Sequence, residues 1–131
     1  MFEYYTNENI VSLTENEIFV FGSNEAGRHG QGAAKIARRH FGAQYGVGFG
    51  KYKQSYAIPT KDRFIETLGI GKISEYIDEF LHYTKSTPEL IFVVTKIGCG
   101  LAGYSNSEIA PLFKQASDNC KFHVDWREYL E

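Results

Sequence analysis

Glu17-Ile18-Phe19-Val20-Phe21-Gly22-Ser23-Asn24-Glu25-Ala26-Gly27-Arg28-His29-Gly30-Gln31-Gly32-Ala33-Ala34 is the stretch from which the fold of this chain is read. A short β-branched and aromatic run closed by Gly22 predicts a buried strand. Gly27, Gly30 and Gly32 turn the chain into a bend. From Gln31 to Phe41, Ala33, Ala34, Ala37 and Phe41 fall on one side at helical spacing, with Lys35, Arg38 and Arg39 opposite and Gly42 as the stop. A strand that ends in small residues before a helix turns free backbone N–H groups, and the positive end of the helix dipole, toward one spot. The same pattern returns later. Glu89-Leu90-Ile91-Phe92-Val93-Val94-Thr95 is a nearly continuous apolar strand, and Ile97-Gly98-Cys99-Gly100-Leu101-Ala102-Gly103-Tyr104-Ser105 is a second bend. After it, Ile109, Leu112, Phe113 and Ala116 mark one side of a predicted helix. Two such loops predict two walls of one cleft, with an anion such as a pyrophosphate between them.

Between the loops, Ser55-Tyr56-Ala57-Ile58 predicts a short strand stopped by Pro59. Ile73, Tyr76, Ile77, Phe80 and Leu81 repeat at the spacing of one helix side, and Lys121-Phe122-His123-Val124 predicts a last strand. Residues 43–54, with Gly46, Gly48 and Gly50 alternating, read as a surface loop. Strands alternating with helices predict a three-layer α/β/α domain with a largely parallel sheet. In such sheets the ligand crevice lies beyond the carboxyl ends of the strands. Both glycine loops, and Pro59-Thr60-Lys61-Asp62, leave strands at that edge.

At 131 residues the chain is expected to form one domain over 1–131, burying roughly two-thirds of its unfolded surface. A net charge of -2 argues against broad electrostatic capture of nucleic acid. The distribution is uneven, however: Arg28, His29, Lys35, Arg38, Arg39 and His40 fall together with no acid among them, which suits either a solvated helix side or an anion surface. There is no signal-like start and no apolar run near the ~20 residues of a membrane span, so a cytoplasmic protein with no membrane partner is expected. Cys99 and Cys120 form no CxxC pair and read as reduced thiols, and the four histidines lack metal-cluster spacing, so no metal or cofactor is expected.

Gly98-Cys99-Gly100-Leu101-Ala102-Gly103 fits GxGxxG, with Asp125 22 residues past Gly103. A dinucleotide fold places that fingerprint at its first strand, whereas here too little chain follows to build the rest of the sheet. No segment satisfies GxxxxGK[ST], and the GxSxG elbow of serine hydrolases is absent. Cys99 reads either as a nucleophile with His29 across the cleft or, preferably, as a small residue beside the phosphates. Lys61 and Asp62 read either as a surface ion pair or as catalytic groups at the ligand edge.

Arg28-His29-Gly30-Gln31-Gly32-Ala33-Ala34 leading to Arg38-Arg39-His40-Phe41-Gly42, then Tyr56-Ala57-Ile58-Pro59-Thr60-Lys61, then Ile97-Gly98-Cys99-Gly100-Leu101, resemble the macrodomain family in order and spacing. The likeness runs from about Ile18 to Val124 and is nearest the branch of terminal ADP-ribose glycohydrolases. It implies an ADP-ribose pocket. Gly22, Ser23, Asn24, Gly27, Arg28, Gly30, Gln31, Gly32 and Ala33 would take the distal ribose and one phosphate, and Gly98, Cys99, Gly100, Leu101, Ala102, Gly103 and Tyr104 would wrap the diphosphate. In that branch a lysine at the position of Lys61 attacks the ribose and an acid after the Gly-Cys-Gly-Leu run assists; here that second position is Ala102. The usual aspartate for adenine has no evident counterpart, although Glu15 and Asn16 lie nearby in sequence. Three functions follow as expectations: an ADP-ribosyl hydrolase using Lys61 and Asp62, a reader that binds without turnover, and an RNA-end or single-strand contact through Arg28, Lys35, Arg38, Arg39, Tyr45 and Tyr52. The residues leave the oligomeric state open.

Overall fold

The strand read from the opening stretch runs Glu17–Asn24 and sits in the middle of the sheet, because its side chains alternate between two apolar layers. Ile18 and Val20 face one core cluster and Phe19 and Phe21 the other. The computed structural model describes residues 2–131. Its strands are β1 (Glu3–Tyr5), β2 (Glu17–Asn24), β3 (Gly50–Tyr52), β4 (Ser55–Lys61), β5 (Ile91–Val94) and β6 (Cys120–His123). Its helices are α1 (Gly32–His40), α2 (Ile70–Ser86), α3 (Asn106–Ile109) and α4 (Arg127–Leu130), with 3-10 turns at Ala110–Phe113 and Val124–Trp126.

The sheet order is β1-β6-β5-β2-β4-β3, and every neighbouring pair is parallel except β3 with β4. On one side α1 lays Ala34 and Ala37 on Phe19, Phe21 and Ala57, where small residues let the helix approach closely. On the other, Ile73, Ile77, Phe80 and Leu81 of α2 meet Ile58, Phe92, Phe113 and Trp126 in the larger core. Each fully buried side chain of this size contributes about 2–3 kcal/mol. The result is the α/β layering expected from the sequence.

Three local readings are corrected and one strand is added. Residues 43–54 are not all loop: β3 pairs antiparallel with β4, Gly50 opposite Ala57. Glu3–Tyr5 adds an edge strand on β6, in a segment too short to show a period. β4 runs through Pro59 to Lys61, since β3 ends opposite Ala57 and a residue without an N–H is tolerated where one side of the strand has no partner. The helix after the second loop is only α3, four residues long, followed by the 3-10 turn, because Pro111 cannot donate a helical hydrogen bond.

Candidate functional site

The carboxyl ends of β2, β4 and β5 open onto one cleft of about 460 Å³. Gly22, Ser23 and Asn24 come from β2, Thr60 and Lys61 from β4, and Thr95, Lys96 and Ile97 follow β5. Arg28, Gly30, Gln31, Gly32 and Ala33 form one wall, and Gly98, Gly100, Leu101 and Ala102 the other. Gly22 and Gly98 nearly touch where the walls meet: a Cβ built on Gly22 would lie 3.7 Å from the Gly98 nitrogen.

The first wall rests on Asn24. Its Nδ2 donates to the Arg28 carbonyl at 2.8 Å, and the Arg28 N–H donates to its Oδ1 at 3.0 Å. The amide expected near a ribose is thus engaged in closing the bend. Gly27 has φ +71, and an added Cβ would lie 2.6 Å from Gly46 C and Val47 N, so the bend is packed directly beneath residues 46–47. Beyond it α1 begins without a cap: Gln31 makes no side-chain capping bond. The first helical N–H to find a partner is that of Lys35, on the Gln31 carbonyl, which leaves those of Gly32, Ala33 and Ala34 unclaimed among the described residues. The helix dipole adds a partial positive charge there.

The second wall is built differently. Gly98 and Gly103 take φ +78 and +89, and the Tyr104 N–H closes the loop on the Gly98 carbonyl at 2.9 Å. The N–H groups of Gly100, Leu101 and Ala102 have no acceptor among the described residues. The helix that follows does not add its dipole, because its N-terminus is filled from within: Glu108 Oε1 accepts from the Ser105 N–H at 2.9 Å and from the Ser105 hydroxyl at 3.0 Å. Those bonds hold the Glu108 carboxyl below its ordinary pKa. The expectation that both loops aim a helix at the ligand therefore holds for the first loop and fails for the second.

Among the described residues three cations line the cleft, Arg28, Lys61 and Lys96, and no carboxylate does. Lys96 Nζ is held by Asp125 Oδ2 at 2.8 Å, which raises the Lys96 pKa and lowers that of Asp125. Lys61 Nζ has no hydrogen-bond or ion-pair partner among the described residues.

Several expected site residues stand outside the lining. Asp62 braces a turn instead, its Oδ1 accepting from the N–H groups of Phe64 at 2.8 Å and Glu66 at 3.1 Å. That turn carries Ile65 at φ +67, a strained conformation for a β-branched residue, and sets it in the cleft wall. Gly27, Gly103 and Tyr104 shape the loops from behind, with the Tyr104 hydroxyl donating to the Leu68 carbonyl at 2.6 Å. Cys99 packs its sulfur against the larger core, and burial pushes its pKa up to about 11. His29 does not face Cys99. It is fully buried, Nε2 lies 3.1 Å from Ser23 Oγ, and burial, then the Arg38 charge, lowers its pKa.

Thr60, Ile65, Thr95, Lys96 and Ile97 line the cleft without having been assigned to it from the sequence, and Tyr45, named there only as a single-strand contact, lines it too. Tyr45 arrives because residues 44–49 fold back over the first loop, where the Gly46 N–H donates to the Gly27 carbonyl at 3.0 Å and a Cβ on Gly48 would lie 2.3 Å from the Asn24 oxygen. The alternating Gly46, Gly48 and Gly50 were the available signal.

A mixed, mostly parallel sheet with helices on both sides and a cleft at the carboxyl ends of β2, β4 and β5 is the architecture of a macrodomain. The macrodomain of Mycobacterium tuberculosis DarG superposes with a TM-score of 0.66 over 94% of this chain and 97% of that one, at 16% sequence identity. The chain thus has the macrodomain fold. No protein-family model and no curated protein matches the sequence.

Proposed function

We propose that the cleft binds ADP-ribose or a ligand bearing an ADP-ribosyl group. The observation that carries the reading is the pair of facing walls, each with three unclaimed backbone N–H groups, in a cleft with cations and no carboxylate. A diphosphate presents acceptor oxygens on both sides and so answers two such walls at once. The volume lies in the usual range for small-molecule sites, roughly 300–1,000 Å³. Macrodomain architecture, and the resemblance of the two glycine loops, direct the choice among diphosphates to ADP-ribose.

Binding without turnover is the form the cleft favours. Hydrolysis at the distal ribose calls for a group to manage the leaving group or the water. Asp62 is committed to its turn, and Ala102 stands where the resemblance expects an acid. Hydrolysis remains a second reading on one observation, the unpartnered Lys61 ammonium at the cleft edge.

Calorimetry with free ADP-ribose tests the proposal, and the absence of heat at millimolar ligand overturns it. Incubation with an ADP-ribosylated peptide separates the two forms. Capture without released ADP-ribose supports the reader, whereas release that is lost in Lys61→Ala supports the enzyme.

A further inference from the structure

His29 is fully buried beneath the first wall, with the Phe21 ring in a T-shaped contact at 5.2 Å and the Tyr45 ring stacked at 6.1 Å. A slot between two rings suits an apolar side chain, yet it holds an imidazole. Nδ1 has no hydrogen-bond partner among the described residues; the Val47 backbone partly offsets the downward pull of burial on the pKa without meeting that nitrogen in a hydrogen bond. An unpartnered buried nitrogen is destabilising, and an apolar residue of similar shape would carry no such cost. What the imidazole has that an apolar residue lacks is Nε2, 3.1 Å from Ser23 Oγ, and Ser23 lines the cleft.

The polarity of that contact follows from counting protons. The Ser23 hydroxyl has one hydrogen and two protein acceptors within reach, His29 Nε2 at 3.1 Å and the Asn24 carbonyl at 3.3 Å. With Nε2 bare, the hydroxyl donates to it. With the proton on Nε2, the ring donates to Oγ and the hydroxyl turns to the Asn24 carbonyl. In both tautomers the hydroxyl hydrogen stays inside the protein, and Oγ offers only lone pairs to the cleft. Phosphate oxygens are acceptors as well and gain nothing there, whereas a sugar hydroxyl can donate.

We infer that Ser23 is a hydroxyl-selective contact at the base of the cleft, and that His29, which does not touch the ligand, is the positioning residue that fixes it as an acceptor. The rings of Phe21 and Tyr45 hold the imidazole on both sides, so the Ser23 rotor is set by a group that is itself immobile. The diphosphate then belongs to the amide walls and a hydroxyl of the ligand's sugar to Ser23. This rests on the cleft reading and deepens it, because it says which part of the ligand meets β2 and why a buried histidine with one idle nitrogen is kept there.

The test is calorimetry of the full chain with ADP-ribose and with ADP, which has the diphosphate but no terminal ribose. Ser23→Ala should weaken ADP-ribose binding about fivefold, the worth of one ordinary hydrogen bond, and leave ADP within about twofold. His29→Leu should weaken ADP-ribose binding to a similar extent, and Ser23→Ala/His29→Leu no more than Ser23→Ala alone, since the histidine acts only through the hydroxyl. His29→Gln, whose terminal amide reaches the Nε2 position as donor or acceptor, should recover most of the loss. Equal losses for ADP and ADP-ribose would mean that Ser23 donates to a phosphate and would overturn the inference. So would losses that add in the double variant, or a His29→Gln no better than His29→Leu, which would make His29 a packing residue. Should His29→Leu fail to fold, Ser23→Ala and His29→Gln decide: unchanged ADP-ribose affinity in Ser23→Ala, or a fivefold loss in His29→Gln, overturns it. ADP-ribose heat with none of these differences removes the inference alone, whereas no heat from the wild-type chain removes the cleft reading and the inference with it.

Discussion

The two glycine-rich loops read alike in sequence and are held by different physics. The first is fixed by packing and by Asn24 and delivers the uncapped start of a nine-residue helix to the cleft. The second is fixed by its own turns, and its short helix spends its N-terminus on Glu108. One wall therefore combines amides with a helix dipole, and the other presents amides alone. Under the proposed function, this difference predicts an anion held mainly by the first wall and oriented by the second.

The largest expected effect separates the loops through their glycines. At Gly27 a methyl group meets backbone atoms at 2.6 Å, which cannot retreat without displacing residues 44–49, so Gly27→Ala should cost more than about 3 kcal/mol. Gly103 also has positive φ, at +89, but an added Cβ meets nothing within 4 Å. Gly103→Ala should cost only the backbone strain, about 1–2 kcal/mol. Denaturant midpoints of the two variants measure the gap, and equal losses would remove the distinction between the walls.

The braces come next. Asn24→Ala removes both bonds across the first bend and leaves the part-buried carbonyl and N–H of Arg28 short of partners, a loss of about 1–2 kcal/mol. Ser105→Ala in the second wall removes an exposed cap and should cost about 1 kcal/mol or less. If Ser105→Ala proves the more damaging, the second loop is the better ordered wall.

Much of this could be read from residues, and the omissions share a cause. Continuous apolar runs identified β2 and β5, as buried strands require, and repetition at the spacing of one helix side identified α2. Loop fates depend on partners distant in sequence: Asp62 beside Lys61 looks catalytic until its oxygen is found on the Phe64 and Glu66 N–H groups. His29 was placed opposite Cys99 by loop order, whereas the fold buries it against Ser23, Phe21 and Tyr45. The cleft residues contributed by residues 44–49 were hidden for the same reason, since only the folded chain brings Gly46 against Gly27.

His29 gives the first wall a pH dependence near the ordinary histidine range, whereas the lowered carboxyl pKa of Glu108 places that of the second wall in the acid range. Burial lowers the His29 pKa in the folded protein, so as pH falls through the ordinary histidine range the unfolded chain takes up more of the proton than the folded chain does. The contribution is constant above the unfolded value of about 6.5 and is lost as pH falls below it, by at most about 1.4 kcal/mol per pH unit. Stability profiles of wild type and His29→Gln should therefore converge on acidification. Parallel profiles between pH 5 and 7 would show that the imidazole is not held neutral, the interval following from the ordinary histidine value of about 6.5.

The smallest effect is expected where the sequence offered a nucleophile. With burial raising its pKa to about 11, the Cys99 thiol is almost wholly protonated at pH 7.5. A thiolate that rare does not serve as the attacking group, and a sulfur turned toward the core does not touch the ligand. Iodoacetamide should label Cys99 in the folded protein far more slowly than in the unfolded chain, and Cys99→Ser should leave ADP-ribose affinity within about twofold. Fast labelling that ADP-ribose suppresses would mean that the second loop opens and presents the sulfur to the cleft. The second wall would then be the movable one, as expected of a loop held by turns rather than by packing.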